Sequence, residues 1–166
     1  DYILVGNLPY YTASFIVRKF LECSVRPKEL IIMLQKEVAD SMSAETGKMK
    51  MLSVATQFYG EVIKLFDVDP ISFSPPPKVI SSVVRIKVNK EQMYKVNLVS
   101  DFFKFVKAGF YSPRKKISNS LSLGLSIEKE LVRGLLEEAG VDPNCRPSIL
   151  TIEEWVGLYE KNEERV

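Results

Sequence analysis

The segment Asn7-Leu8-Pro9-Tyr10 combines residue types that suit chemistry on an amino group. An asparagine side-chain oxygen and a nearby backbone carbonyl can each accept one hydrogen bond from the exocyclic amine of a base. Such an amine is a poor nucleophile because its lone pair is delocalised into the ring. Two acceptors fixed in space favour a pyramidal nitrogen whose lone pair points at an electrophilic methyl group, which is catalysis by positioning and electrostatics. Pro9 stiffens the loop and removes a competing donor. The Tyr10 ring can stack on the base. The alternative is that Asn-x-Pro is simply a turn.

Two further segments could complete such a site. Phe73-Ser74-Pro75-Pro76-Pro77-Lys78-Val79 is stiff and polyproline-like. It can present Phe73 as a second stacking wall opposite Tyr10, with Lys78 on a phosphate. Alternatively Phe73 is core and the prolines only end a strand pair, or they fill a partner's aromatic groove. Gly109 to Leu121 contains Arg114, Lys115 and Lys116 among serines and an asparagine. Adjacent cations beside polar donors suit phosphate contacts that weaken as salt rises. The alternative is a solvated helix start.

Strands and helices must hold these segments in place. Tyr2–Val5 reads as a fully buried strand running into the loop Gly6–Tyr10. Thr12 is placed to cap a helix with apolar face Ala13, Ile16, Val17, Phe20 and Leu21. A second apolar strand covers Leu30–Leu34, followed by helices over Lys36–Met42 and Leu52–Tyr59. Val62–Val68 is a third strand, Pro70–Lys78 a proline-rich link and Ser82–Val88 a fourth strand. This order implies an α/β layer with parallel pairs. The short helix-free link predicts an antiparallel last pair. After Asn89 only helical spacing remains: Val99, Phe102, Phe103, Val106 and Phe110, then Ile127, Leu131, Val132, Leu135, Leu136 and Ala139 after Ser126. Gly140 is suited to end that second helix, and Thr151 with Glu154 forms a capping-box pattern before Trp155. Residues 1–90 therefore read as part of an α/β domain and 91–166 as a small helical domain.

Composition narrows the chemistry. The 166 residues suit one domain, or one plus an appendage. Histidine is absent, which removes Ser-His-Asp and Cys-His catalysis and nearly all His-containing metal sites. Two cysteines, Cys23 and Cys145, are too few for a disulfide framework and match a reducing compartment. No run approaches a membrane span and no secretory signal opens the chain. The net charge of +2 hides an asymmetry. Lys95–Ser118 holds six basic residues, Lys107 among them, against one acid, whereas the segment from Asn119 onward holds five basic and ten acidic residues. The middle segment suits a polyanion and the last segment would be repelled by one. The eight glycines are scattered and form no glycine-rich phosphate turn of the kind a nucleotide-type cofactor needs. The expectation is that Asp1 lies mid-domain and that an upstream cofactor-binding half is absent from this chain.

Gly6-Asn7-Leu8-Pro9-Tyr10, Gln35-Lys36-Glu37-Val38, Leu52-Ser53-Val54, Phe73-x-Pro75-Pro76-Pro77-Lys78-Val79-x-Ser81-x-Val83-Val84 and Arg114-Lys115 with Asn119-Ser120-Leu121 occur in this order. Together they resemble the ribosomal RNA adenine N6-dimethyltransferase family, which includes the small-subunit (KsgA-type) enzymes and the erythromycin-resistance methyltransferases. The tail, with Gly140-Val141-Asp142-Pro143 and Arg146-Pro147, is similar to the small-subunit branch. Pro113 stands where the family usually has a basic residue.

The resemblance implies a partial Rossmann-like methyltransferase sheet, of which 1–90 supplies the C-terminal strands, followed by a helical rRNA-binding domain over 91–166. It implies S-adenosylmethionine-dependent N6-dimethylation of two adjacent adenosines near the 3′ end of small-subunit rRNA, with a role in ribosome biogenesis and no metal. By that resemblance Asn7, Leu8, Pro9 and Tyr10 are catalytic, and Asn7, Leu8 and Pro9 also meet the cofactor. Leu8 supplies the backbone carbonyl, and Tyr10 and Phe73 stack on the target base. Lys78, Lys107, Arg114, Lys115 and Lys116 are the expected RNA contacts. The implied partner is small-subunit rRNA or a 30S-type subunit. The expected setting is the cytoplasm, away from membranes, with a monomeric full-length enzyme and an inactive isolated chain. Two other readings are a non-catalytic ribosome-assembly or RNA-binding factor of the same fold, and a DNA or protein amino-group methyltransferase with a related loop.

Overall fold

The computed structural model describes residues 2–91 and 93–165. Asp1, Gln92 and Val166, which the expected domain limits include, lie outside the described residues, and so does the expectation for Asp1. The elements are β1 (Ile3–Asn7), α1 (Ala13–Glu22), β2 (Glu29–Gln35), α2 (Lys36–Met42), α3 (Met51–Gln57), β3 (Gly60–Val68), β4 (Ser81–Val88), α4 (Val99–Gly109), α5 (Ile117–Leu125), α6 (Lys129–Glu138) and α7 (Ile152–Glu163). The chain divides into two compact units, one of Asp1–Ala44 with Ala55–Met93 and one of Glu45–Val54 with Tyr94–Val166. Residues 45–54, which the sequence reading left with the α/β part, group with the helical unit.

The first unit is built on a four-stranded sheet of order β1-β2-β4-β3. β1 and β2 are parallel, and β4 runs antiparallel to both β2 and β3. The antiparallel last pair is as the short link predicts. The pairing of β4 with β2 is not legible in that link: β4 inserts between β2 and β3. One sheet face carries Leu30, Ile32, Leu34, Val84 and Ile86, all fully buried. α2 packs against β2, β3 and β4. Burying these side chains supplies the main stabilisation of the layer, at roughly 1.5–3 kcal/mol for each large one.

The other face differs from expectation. β1 does not form a fully buried strand: Ile3 and Val5 are exposed, Val5 by 71%. β1 lies at the sheet edge and pairs only with β2. Among the described residues nothing covers Val5. Ile63 and Leu65 of the opposite edge strand are exposed as well. Thr12 stands at the start of α1 without a side-chain capping bond. Its hydroxyl instead donates to the Pro9 carbonyl at 3.4 Å. Ala13, Val17 and Leu21 form the buried stripe of α1.

The second unit packs its helices around Trp155, Phe102, Val106, Leu121, Leu136 and Leu158, all fully buried. Ile127 and Leu131 fall outside that core, 37% and 57% exposed: Ile127 precedes α6, which begins only at Lys129, and Leu131 lies off the helix stripe of buried Val132, Leu135 and Leu136. Ser126 ends α5 in the left-handed region at φ 58°. α6 ends as its glycine predicts. Gly140 takes φ +73°, its N–H bonds the Glu137 carbonyl at 3.0 Å, and the Val141 N–H bonds the Leu136 carbonyl at 2.8 Å. The capping box at α7 is complete: Glu154 N–H donates to Thr151 Oγ1 at 3.2 Å and Thr151 N–H to Glu154 Oε2 at 2.7 Å.

Candidate active site

β1 delivers Asn7 to the C-terminal end of the sheet and the following loop is pinned at both ends. The Leu8 N–H donates to the Met33 carbonyl at 2.9 Å, and the Thr12 N–H donates to the Pro9 carbonyl at 3.1 Å. These bonds consume backbone groups and leave the Asn7 side chain in solvent. Among the described residues no side chain or backbone group bonds the Asn7 amide. Its oxygen is therefore available to an incoming donor.

The link from β3 to β4 is ordered in the same local way. Asp69 accepts the Ile71 N–H at 2.9 Å, capping a short helical turn over Pro70–Ser72. The Phe73 N–H then closes on the Pro70 carbonyl at 3.1 Å. The Ser74–Pro75 peptide is cis. Phe73, Pro75 and Pro77 face a cavity of about 370 Å³ whose other walls are Asn7, Leu8, Pro9 and Tyr10. Such a volume suits a small ligand or a single base with part of its surroundings. Four consecutive predicted residues, Asn7 to Tyr10, and the distant Phe73 are thus brought to one concave place within the first unit. Phe73 and Tyr10 are half-buried, so neither ring is spent as core.

Polar groups that the sequence left without a role support these walls. Tyr10 Oη lies 2.7 Å from Ser81 Oγ, and Ser81 is fully buried. Next to it, Ser82 donates to Asp67 at 2.7 Å. Asp67 also takes Lys36, and Lys64 bridges Asp40 at 2.7 Å and Asp67 at 3.5 Å. The Lys36 ammonium, with help from Ser82, holds the Asp67 carboxyl down to about 2. Lys36 also donates its backbone N–H to the Ile80 carbonyl at 3.0 Å. The signal available beforehand was two adjacent small polar residues opening an apolar strand, which is ambiguous until their partners are known.

The predicted cationic residues do not line this cavity. Lys78 is exposed on the β3–β4 link. Lys107, in the last turn of α4, and Arg114, Lys115 and Lys116, in the turn before α5, are exposed on the second unit. That turn is shaped by Lys115 N–H on the Ser112 carbonyl at 2.9 Å and Ser112 N–H on Ser120 Oγ at 2.8 Å. Lys116 reaches Asn144 at 2.7 Å. Among the described residues no cluster of carboxylates and cysteines could hold a metal ion. No described helix is long and apolar enough to cross a membrane.

The family described as Ribosomal RNA adenine dimethylase matches residues 1–160. A Ribosomal RNA small subunit methyltransferase A from Dehalococcoides mccartyi is 40% identical over 154 residues, 93% of this chain and 53% of that protein. The protein of the same name from Alkaliphilus oremlandii is 43% identical over 162 residues, 96% of this chain and 56% of its own length. The chain thus spans about half the length of the curated relatives it matches. Among solved structures, the 23S rRNA methyltransferase ErmE superposes with a TM-score of 0.70 at 25% identity, covering 97% of this chain and 65% of that one. A dimethyladenosine transferase from Plasmodium falciparum shares the fold with a TM-score of 0.84 at 20% identity, covering 99% and 68%. With the family match running over nearly the whole sequence, the chain belongs to the ribosomal RNA adenine dimethylase family.

Proposed function

We propose that this chain is the C-terminal portion of an S-adenosylmethionine-dependent enzyme that dimethylates the N6 amines of two adjacent adenosines near the 3′ end of small-subunit rRNA, during ribosome biogenesis in the cytoplasm. In this reading residues 1–90 complete the methyltransferase domain and 91–166 form an rRNA-binding helical domain. The full-length enzyme works as a monomer on the 30S-type subunit. The observation that carries the proposal is the convergence of Asn7, Tyr10 and Phe73 on one cavity.

The residues present fit one side of the cofactor's site. The free Asn7 amide, with half-buried Leu8 and exposed Pro9 beside it on the same cavity, offers polar and apolar contacts at its lip. When bound, S-adenosylmethionine supplies an electrophilic methyl group on a sulfonium. The rest of the work belongs to the chain. Asn7 Oδ1 accepts one N–H of the adenine amine and the Leu8 carbonyl accepts the other. The nitrogen lone pair is thereby drawn out of the ring plane and aimed. Tyr10 and Phe73 stack on the two faces of the extruded base, offsetting its lost stacking by about 1–3 kcal/mol for each ring. Methyl transfer would exchange the sulfonium's carbon–sulfur bond for a carbon–nitrogen bond, the sulfur keeping the electron pair and leaving as a neutral thioether, and the amine nitrogen would release one proton to solvent. Lys78, Lys107, Arg114, Lys115 and Lys116 hold phosphates and set register without reading sequence.

The test is Asn7→Ala in the complete enzyme, with methyl incorporation into unmethylated small-subunit RNA as the assay. Turnover should fall by about a hundredfold or more, the scale of losing one preorganised group at a reacting centre. RNA affinity by filter binding should hold. Unchanged turnover refutes the role of Asn7. A wild-type enzyme that binds the RNA and never methylates it favours the assembly-factor reading instead.

A further inference from the structure

Resting on that reading, we propose that the buried Ser81 hydroxyl is a positioning residue: it tethers the Tyr10 ring at the angle a base needs to lie against it and Phe73. Ser81 opens β4, the strand held on both edges, opposite Gln35 of β2 and Val68 of β3. Its backbone therefore has little freedom, and its side chain is 0% exposed. Tyr10 sits instead on the loop beyond β1, outside any helix or strand. A tyrosine ring joined only through its own side-chain bonds swings about two torsions. A second fixed point at the para oxygen, 2.7 Å from Ser81 Oγ, removes that swing. A buried hydroxyl requires a partner, and Tyr10 is the one this serine has among the described residues.

The facing wall is referred to the same strand end. Ser82 bonds Asp67 of β3, and Lys36 ties Asp67 to the start of α2. This clamps the two stems of the link that carries Phe73. The first two residues of β4 thus anchor one ring each, Ser81 directly and Ser82 through the stem. Loosening Ser81 leaves the fold and the phosphate contacts in place but lets one wall of the cavity tilt, so the base is still caught and less well aimed at Asn7.

The experiment uses the complete enzyme in four forms: wild type, Ser81→Ala, Tyr10→Phe and the double variant. For each single variant kcat should fall about three- to tenfold, the scale of one hydrogen bond. KM for RNA should move by less than about twofold, because phosphate contacts dominate it. The double variant should lose no more than either single one, since both remove the same bond. Fluorescence quenching of a 2-aminopurine-substituted single-stranded RNA reads ring stacking without methyl transfer, and should be weakened equally in all three variants. Tyr10→Phe leaves β4 unaltered and removes only one hydroxyl from a half-buried loop side chain, so its result stands even if Ser81→Ala folds poorly. Ser81→Ala behaving as wild type in both assays overturns the tether, and so do losses that multiply in the double variant. If the wild type leaves small-subunit RNA unmethylated while quenching follows the expected pattern, the proposed function fails and the tether stands.

Discussion

Gly124→Ala and Gly157→Ala make the same chemical change on two helices of the second unit, and the structure assigns them opposite signs. At Gly124 on α5 an added Cβ would lie 2.6 Å from the Ala108 Cα and 2.7 Å from its carbonyl carbon. Those atoms are α4 backbone, which no rotamer change can move. Relief requires separating two helices whose facing side chains Phe105, Val106 and Leu121 are buried. Overpacking of this kind costs up to about 3 kcal/mol. The better helix propensity of alanine returns about 1 kcal/mol. The net expectation is ~2 kcal/mol of lost stability, a fall in Tm of roughly 10 °C for a unit of this size. At Gly157 on α7 nothing lies within 4 Å of the added atom. Only the propensity and unfolded-chain terms remain, so stability should rise by about 0.4–1 kcal/mol. Thermal melts followed by near-ultraviolet dichroism suit the assay, because the only tryptophan, Trp155, is fully buried in this unit. A Gly124→Ala protein that melts with the wild type would refute the close α4–α5 approach. A destabilised Gly157→Ala protein would refute the open space on α7.

Three other outcomes are expected. Thr151→Ala should cost about 1 kcal/mol by removing the α7 cap, with Thr151→Ser close to wild type, measured by urea unfolding. The Asp67 carboxyl should titrate near 2 by carbon-detected NMR. Since its folded value lies below the unfolded one, its stabilising contribution is present above the ordinary carboxylate range and is lost as pH falls from about 3.8 through 2. Lys36→Met should raise that midpoint, and an unmoved midpoint would contradict the Lys36–Asp67 pair. Arg114→Ala and Lys115→Ala should each lower the salt dependence of RNA binding by about one phosphate contact, uniformly across sequences. An unchanged slope would remove that turn from the RNA surface.

Much of the local structure was legible from residue order because its causes are local. Lys36–Met42 follows from helical spacing directly after an apolar strand. The α7 start follows from Thr151 and Glu154, and the α6 end from a glycine placed where φ must be positive. The chemistry of Asn7-Leu8-Pro9-Tyr10 was legible for the same reason: amide, carbonyl and ring are adjacent, so their types alone suggest what they can hold. Absence of histidine bounded the mechanism without any coordinates.

What required the tertiary structure depends on non-local pairing. Nothing in the link Pro70–Lys78 says that β4 will insert between β2 and β3. Yet that insertion brings Ser81 to Tyr10 and Ser82 to Asp67. The exposure of Val5 is likewise invisible in an apolar run, because a strand's burial is decided by what covers it and not by its own side chains. Whether Phe73 was wall or core was open for the same reason. Only a fold that brings residue 73 to residue 10 makes the two rings share one cavity.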